Sequence, residues 1–305
     1  MPELPEVETV RTGLEASTVD RVITEISFRQ FAQVMGGHSA EHANARLRGQ
    51  MIRSVRRRGK YLILDLDGDE SLLVHLRMTG RLLVVPSLQP PIRFEHLAIT
   101  FDNETDLRFG DQRKFGRVLL VDRATLDRLD TRLGVEPLGR AFTAFTLHTG
   151  LRRRHGKLKS VLLDQGFVAG LGNIYVDEAL FRARLHPLRT ASTVTLLEAT
   201  RLHRAIRAVL RQGIANQGTT FSSFENPYGE QGTNASRLQV YGKGRSGGLC
   251  PRCGRLLERL VVGGRGTTVC PSCQPLETTS SQTRESTSDA AEKPLVANRL
   301  TFVIK

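Results

Sequence analysis

The four cysteines of the chain fall within one short stretch of sequence. Cys250 and Cys253 form a first CxxC pair, and Cys270 and Cys273 form a second pair after sixteen intervening residues. Two pairs at this separation are typical of a tetrahedral zinc site; a redox CxxC motif and a pair of disulfides are the alternatives. Redox pairs rarely come doubled at this spacing, and a cytosolic chain disfavours disulfides. Because a catalytic zinc keeps one coordination position open, four thiolates predict one structural Zn²⁺ ion.

The residues between the two pairs predict a small β-hairpin, with strands at 256–262 and 267–269 and a turn at 263–266. Arg265 lies among the glycines of this turn. Glycine allows a backbone to approach a ligand closely, and a guanidinium group binds phosphate with two hydrogen bonds. Arg265 is therefore a candidate phosphate-binding residue presented by the zinc-braced hairpin.

The basic charge of the chain is confined to one segment. The net charge is +13, yet residues 1–139 carry 20 basic and 20 acidic side chains, and residues 274–305 carry four of each. Residues 140–273 hold 20 basic and only 7 acidic side chains. A merely basic protein would spread its charge evenly, so this concentration favours a surface that binds a polyanion, with nucleic acid as the first candidate.

The N-terminal half predicts a leading helix followed by many short strands. Residues 1–15 have acidic residues near the helix start, and Val7, Val10 and Leu14 recur at helical spacing on the face expected to be buried. Between residues 51 and 120 the pattern changes to β runs at 61–66, 72–76, 82–85, 97–101, 107–109 and 118–121. Short strands separated by turn residues predict an antiparallel sandwich or barrel.

After about residue 138 the pattern becomes helical. The segment 196–211 is amphipathic, and its polar face carries Arg201, Arg204, Arg207 and Arg211, which by themselves indicate a solvated basic face. Residues 213–248 are rich in Gly, Ser and Asn and predict a long functional or mobile loop. The last thirty or so residues are rich in Ser and Thr and predict a disordered tail.

Length and hydropathy exclude several classes of protein. A chain of 305 residues is typical of two domains, and its apolar content provides a core. No glycine-free apolar run exceeds four residues, against the roughly 18 that a spanning helix needs. The acidic N-terminus is unlike a signal peptide. We expect a cytoplasmic protein without a membrane partner.

Five strings taken together resemble the formamidopyrimidine-DNA glycosylase family, the larger group that also includes endonuclease VIII. They are MPELPEVE at 1–8, HLRMTG at 75–80, DQRKFG at 111–116, LLDQ at 162–165 leading to GLGNIY at 170–175, and the cysteine hairpin ending in CPSCQ. The resemblance implies an α+β fold. It has an N-terminal antiparallel β-sandwich with a leading helix and a C-terminal helix–two-turn–helix domain with the four-cysteine zinc hairpin. It implies a catalytic sandwich at 1–138, a helical DNA-binding domain with a lesion loop at 139–240, a zinc hairpin at 241–275 and a tail at 276–305.

The same resemblance implies that Pro2 becomes the N-terminus after removal of Met1 and acts as the nucleophile. An α-amino group has a pKa of about 8, so a useful fraction of this secondary amine is unprotonated near neutrality. Its attack on the sugar gives an iminium cation, which permits β- and δ-elimination. Glu3 is implied to protonate or polarise the ring oxygen, and Glu6 to orient the N-terminus or a water molecule. For Glu8 we expect only helix-dipole stabilisation.

Further residues match positions that contact DNA in this family. Lys60 matches a hairpin lysine that contacts phosphate beside the lesion, and it is grouped with Arg265 among the candidate catalytic residues. His96 is implied to contact a phosphate and Lys159 to lie near the damaged strand, and Asn173 and Tyr241 complete the implied DNA-binding residues. Asn173 is expected to cap the second helix of the helix–two-turn–helix motif, whose free N–H groups would suit a phosphate.

Met78, Arg113 and Phe115 match the three residues that fill the duplex when a base is flipped out. An apolar wedge and an aromatic ring replace lost stacking, while a guanidinium pairs with the orphaned base. Their distribution over two loops favours the oxidised-purine branch. In the lesion loop, Asn234-Ala235 stands where the family often has an aromatic residue.

The resemblance therefore implies a bifunctional DNA glycosylase and abasic-site lyase of base excision repair. It would excise 8-oxoguanine and formamidopyrimidines from double-stranded DNA, as a monomer in a bacterial, nucleoid-associated cytoplasmic setting. The alternatives are an endonuclease VIII-type enzyme for oxidised pyrimidines and a non-catalytic zinc-ribbon DNA-binding protein.

Overall fold

A computed structural model describes residues 1–29 and 31–276 of the chain. The helices are α1 (Leu4–Thr18), α2 (Ala40–Leu47), α3 (Arg123–Arg132), α4 (Ala144–Arg152), α5 (Leu158–Leu163), α6 (Asn173–Ala183) and α7 (Leu196–Ala215). The strands are β1 (Ile23–Phe28), β2 (Ile52–Arg58), β3 (Tyr61–Leu66), β4 (Glu70–His75), β5 (Gly80–Pro86), β6 (Glu95–Phe101), β7 (Thr105–Asp111), β8 (Arg117–Asp122), β9 (Glu258–Val262) and β10 (Arg265–Val269). The predicted tail falls almost entirely outside the described residues.

Eight of these strands form the predicted β-sandwich. One antiparallel sheet has the order β1-β6-β7-β5 and the other β2-β3-β4-β8. Apolar residues from both sheets share a single buried core, in which Phe101 and Phe109 are the largest of the fully buried side chains. All six predicted strands are present. The strands β1 and β2 were not predicted individually, because each carries several charged or polar residues that obscure its alternation.

The leading helix α1 joins the sandwich to the helical region. Val7, Val10 and Leu14 pack in the sandwich core as predicted, whereas Leu4 belongs to the separate core of the helical region. That second core is built from α4 to α7 and includes Tyr175. The start of α1 is therefore held between the two regions, where both cores meet.

An ion-pair network strengthens the same junction. The Arg57 guanidinium donates to Glu8 on α1 at 2.6 Å and to Glu136, in the segment that leads to the helices, at 2.9 Å. The backbone N–H of Gly59 also donates to Glu136. Burial would raise the pKa of Glu8, but hydrogen bonds from Arg11 and Arg57 outweigh it and lower the pKa. Glu8 thus has a structural partner beyond the predicted interaction with the helix dipole.

The turn of the zinc hairpin is shorter than predicted. Gly263 and Gly264 alone form the turn, with φ of 57° and 72°, and Val262 pairs with Arg265. Two consecutive positive φ angles are the geometry of a tight hairpin turn, which glycine adopts without strain. Arg265 is therefore the first residue of β10 and not part of the turn.

The segment predicted as a long loop is mostly irregular, with single 3₁₀ turns at Asn234–Arg237 and Lys243–Arg245. It crosses from α7 to the sandwich, where Phe224 enters the sandwich core and Val84 N–H donates to the carbonyl of Pro227 at 2.8 Å. Among the described residues, none of the helices is long and apolar enough to span a membrane.

Candidate active site

The first residues of the chain lie at the junction of the two regions. Pro2 is buried, Met1 is half-exposed, and the N–H of Leu4 donates to the carbonyl of Gly170 at 3.0 Å. The N–H of Glu3 donates to the carboxylate of Glu6 at 2.8 Å. Two backbone contacts thus fix the residues that follow the proposed nucleophile.

The Glu3 carboxylate occupies the start of α6. One oxygen accepts from the N–H of Ile174 at 2.9 Å and the other from the N–H of Tyr175 at 3.3 Å. Gly172 makes this possible, because a Cβ there would collide with the Glu3 carboxyl group. Burial raises the pKa of Glu3 to about 7, against the opposing positive charge of Lys60. Near neutral pH this carboxyl group can therefore hold or release a proton, as a general acid must.

The prediction that Asn173 caps α6 is wrong. The cap is Gly172, and Asn173 is the first helical residue. Since Ile174 and Tyr175 donate to Glu3, two of the N–H groups expected to face a phosphate are already used within the chain. The Asn173 side chain instead donates to the carbonyl of Gly266 on β10 at 3.0 Å, and its Oδ1 is buried without a partner among the described residues.

Glu6 organises a buried polar network. Its carboxylate accepts from the Tyr175 hydroxyl and from the N–H of Thr219, each at 2.7 Å. Asn234 donates to the Thr219 hydroxyl at 2.9 Å and is almost fully buried. Burial raises the pKa of Glu6 although these donors oppose the shift. Tyr175 and Thr219 were not identified as site residues, since each is an ordinary residue until the fold places it against Glu6.

Lys60 is the second residue of the β2–β3 turn and is buried in the same region. Gly59 has a φ of 57°, and Lys60 is only 6% exposed. Burial lowers the pKa of Lys60, the charge of Glu3 opposes that shift, and the charge of Arg265 adds to it. The sandwich and the zinc hairpin thus bring Lys60, Glu3 and Arg265 within electrostatic range of one another.

The structure does not support the prediction that Lys159 reaches the damaged strand. Lys159 is 0% exposed and its ammonium group lies 2.6 Å from the Asp177 carboxylate. It also donates to the Thr267 hydroxyl at 2.8 Å, while Asp177 accepts from the N–H of Thr268 at 3.1 Å. The pair therefore fastens β10, and with it Arg265, to α5 and α6.

A groove of about 360 Å³ opens between the start of α6 and the zinc hairpin. Asn173 and the half-buried Tyr241 lie on one side, and Arg245 and Arg259 add positive charge. Tyr241 is held in place by Glu178, whose carboxylate accepts from the N–H of Tyr241 and of the two residues before it. Arg265 is exposed beside this groove and has no side-chain hydrogen bond or ion pair among the described residues.

Met78, Arg113 and Phe115 come together although they lie on two separate loops. The Arg113 guanidinium lies 2.8 Å from the Met78 sulfur and 4.8 Å from the centre of the Phe115 ring. Met78 is 44% and Phe115 50% exposed. Two apolar side chains and one cation therefore form a single projecting wedge.

Asp111 shapes the second of these loops and was not identified from sequence. Its carboxylate accepts from the N–H groups of Arg113, Phe115 and Gly116, and from the Thr79 hydroxyl on the other loop. His96, predicted to contact phosphate, is 1% exposed, and its Nε2–H donates to the Asp111 carbonyl at 2.8 Å. The structure thus corrects the prediction for His96, which supports the wedge from beneath.

The four cysteines fit a zinc ion. Their sulfur atoms all lie within 4.8 Å of one another, and the Cys250–Cys273 and Cys253–Cys270 pairs are 3.9 and 3.5 Å apart. Four thiolates around zinc at about 2.3 Å in a tetrahedron are separated by about 3.8 Å. Cys250, Cys253, Cys270 and Cys273 would hold the ion in a closed site, where it braces the hairpin.

The fold and site define a class of protein. In this class a β-sandwich is joined to a helix–two-turn–helix domain, and the N-terminal residues meet a four-cysteine hairpin at one cleft. Family models match in the same order. The formamidopyrimidine-DNA glycosylase N-terminal domain matches residues 1–118, the corresponding H2TH domain residues 133–225, and the zinc finger found in FPG and IleRS residues 247–276. The chain belongs to the formamidopyrimidine-DNA glycosylase family and is a DNA glycosylase acting on damaged bases.

Individual relatives agree with this assignment. The chain is 46% identical to the formamidopyrimidine-DNA glycosylase of Herpetosiphon aurantiacus over 274 residues, which cover 90% of this chain and all of the relative. It is 36% identical to wild-type Lactococcus lactis Fpg (MutM) in complex with N7-benzyl-Fapy-dG DNA, with a TM-score of 0.82 over 90% of this chain and all of that one. A complex of the same enzyme with DNA containing an oxidised pyrimidine matches with the same identity, coverage and TM-score.

Proposed function

We propose that this protein is a bifunctional glycosylase and abasic-site lyase that removes oxidised purines from double-stranded DNA in base excision repair. The observation that carries this proposal is the Glu3 carboxyl group, buried next to Pro2 with its pKa raised to about 7. A nucleophile and a proton donor at adjacent positions are what the combined reaction requires.

The proposed reaction begins with removal of Met1, which frees the nitrogen of Pro2. The nitrogen lone pair forms a bond to C1′ of the deoxyribose as the C1′–base bond breaks with its electron pair leaving on the base. The Pro2 nitrogen then loses the proton of the secondary amine, and this proton balances the one that the base takes up. Glu3 gives its proton to the ring oxygen as the C1′–O4′ bond breaks. The product is a cationic iminium that needs no further protonation.

The iminium drives the lyase step. It acidifies the C2′ proton, and removal of that proton expels the 3′ phosphate by β-elimination; δ-elimination then expels the 5′ phosphate. Water hydrolyses the remaining iminium and returns the amine. Glu6 contributes by holding the backbone of Glu3 and, through Thr219, the loop that would cover the extruded base.

DNA is proposed to lie across the junction of the two regions. The wedge of Met78, Arg113 and Phe115 would enter the duplex where the base has left, at an unstacking cost of a few kcal/mol. Lys60 and Arg265 would bind phosphates near the lesion, and Asn173 and Tyr241 would line the neighbouring groove. His96 and Lys159 are positioning residues in this proposal.

The domains would divide this work as predicted, with catalysis in 1–138, duplex binding in 139–240 and the zinc hairpin at 241–275. We propose a monomer acting on nucleoid DNA in a bacterial cytoplasm.

The substrate class rests on the two-loop wedge and on the relatives. The Herpetosiphon aurantiacus relative is named for formamidopyrimidine lesions, and the Lactococcus lactis enzyme is bound to a Fapy-dG derivative. The second candidate is an activity on oxidised pyrimidines, because that same enzyme is also found with DNA containing one.

Excision from duplexes containing 8-oxoguanine or thymine glycol, with borohydride present, tests the proposal. We expect faster release of 8-oxoguanine than of thymine glycol. We also expect borohydride to trap a covalent protein–DNA adduct with any duplex from which the protein releases a base. Faster release from thymine glycol would assign the protein to the pyrimidine branch. DNA binding without an adduct would indicate a non-catalytic binder.

Replacing Arg265 by alanine should weaken binding to all duplexes to a similar extent. The side chain is exposed and without partners among the described residues, so its loss removes one phosphate contact and little else. Titrations at several salt concentrations should show a log–log slope less negative by about one. Arg123→Ala, on α3 of the sandwich region, is the matched control, and a loss confined to one lesion would show that Arg265 reads bases.

Removing the metal should abolish duplex binding and leave the sandwich folded. The hairpin offers a small core of its own, whereas the sandwich has an extensive one that does not involve the cysteines. Verified metal content, fluorescence anisotropy with labelled duplex and circular dichroism of the β signal provide the measurement. Restored binding on zinc addition is the control, and unchanged affinity of metal-free protein would contradict the prediction.

A further inference from the structure

A second groove, of about 630 Å³, lies between the helical region and the cysteine hairpin, and within the described part of the chain its lining is basic without acidic residues. It is lined by Arg184, Arg201, Arg252, Ser272, Cys273 and Pro275. The three arginines come from three different elements: the end of α6, the first turns of α7 and the first cysteine knuckle. The fold thus brings together a basic groove that no single sequence motif predicts.

This groove is remote from the candidate active site. Asn173 begins α6 beside the active site and Arg184 caps its other end, which places them about 16 Å apart along the helix. Arg265 begins β10, whereas Ser272 and Cys273 follow Val269 at its other end, which lies about 14 Å from Arg265 along the strand. The groove therefore lies at the ends of α6 and β10 that are opposite the active site.

Two of the three guanidinium groups are available to a ligand. Arg184 is exposed and makes no side-chain hydrogen bond or ion pair in the part of the chain that the structure describes. Arg201 lies 4.0 Å from Glu198, but that carboxylate is already bound by Arg189 and by the N–H of Thr195. The Arg252 guanidinium carbon lies 4.5 Å from the centre of the Phe181 ring, so this side chain is held in place by packing and lines one side of the groove.

The basic face of α7 extends this charge beyond the groove. Arg204 and Arg211 are exposed and lie on the same face of α7 as Arg201. Arg207 differs, since it donates to the carbonyls of Pro137 and Gly139 within the protein. A groove that opens onto a row of arginines suits an extended anion better than a small one.

We propose that this surface, the groove with Arg201, Arg204 and Arg211 beside it, binds the phosphate backbone of a second DNA segment. Guanidinium groups and a serine hydroxyl are typical phosphate donors. An acidic peptide would need apolar pockets for anchoring side chains, and the groove has only Pro275 and a cysteine to offer. The protein would then hold two segments at once and could pass between them while searching for lesions.

The test uses the full chain with its first site occupied. The protein is loaded with one equivalent of a duplex containing a tetrahydrofuran abasic analogue in one fluorescent colour, and an undamaged duplex in a second colour is titrated in. Anisotropy of the second colour reports binding, and retention of the first colour shows that the active site stays filled. We expect a ternary complex whose affinity falls steeply with salt.

The variant Arg184→Glu/Arg201→Glu should weaken binding of the second duplex by about tenfold or more, while binding of the first duplex stays within about twofold. Arg123→Glu/Arg128→Glu on α3 makes the same change in charge elsewhere and should have a much smaller effect. Absence of a ternary complex, or equal losses in both variants, would overturn the proposal. Binding of a glutamate-rich peptide, but not of the duplex, to the loaded protein would also overturn it.

Discussion

A single extra residue in front of Pro2 is expected to abolish the covalent adduct with damaged DNA and to slow strand cleavage by about 10³-fold or more, because it removes the whole covalent route. The physical reason is confined to one atom. With any residue before it, the nitrogen of Pro2 is an amide whose lone pair is delocalised, and it cannot attack a sugar carbon. The backbone contacts of Glu3 and Leu4 hold the residues that follow this nitrogen at the junction of the two regions.

The measurement is borohydride trapping and single-turnover cleavage of an 8-oxoguanine duplex. The matched control carries a protease site ending directly before Pro2, so that the same preparation regains its free N-terminus on cleavage and should regain activity. Intact mass before and after gives the N-terminal residue of each sample. Trapping at an undiminished rate by the extended protein would refute the role of Pro2.

Local patterns in the sequence predicted the parts of this fold that local chemistry determines. Cysteine spacing located the hairpin, and alternation found the strands whose inward residues are apolar. Charge counting located the basic region, since it does not depend on the fold. These features need only neighbours in sequence.

The errors concern contacts that only the tertiary fold creates. Lys159 is a basic residue in a basic segment, yet it is buried because Asp177 on a facing helix neutralises it. His96 lies under a loop that Asp111 shapes. Asn173 has the residue type of a cap, but the Glu3 carboxylate, 170 residues earlier in the chain, takes the N–H groups that a cap would serve. In each case a distant partner overrides the local preference.

Replacing Glu3 by glutamine is expected to lower the single-turnover rate by about 10² to 10⁴, the usual contribution of a general acid. The amide cannot give a proton to the ring oxygen. It also turns an NH₂ group towards the N–H of Ile174 or Tyr175, where the carboxylate accepted from both. Glu15→Gln, at an exposed position of the same helix, is the control and should have no such effect.

The pH profile separates loss of the acid from loss of structure. Burial raises the pKa of Glu3 to about 7, so its protonated form is lost as the pH rises through 7. The free amine of Pro2, with an ordinary pKa near 8, is gained over the same range. The product of the two fractions gives a bell with its maximum between these values. In Glu3→Gln the alkaline limb should vanish, so that the residual rate rises with pH and levels off above about 8. If the Glu3→Gln variant keeps the alkaline limb, another group gives the proton to the ring oxygen. Lys60 would then be the first candidate, because burial lowers its pKa.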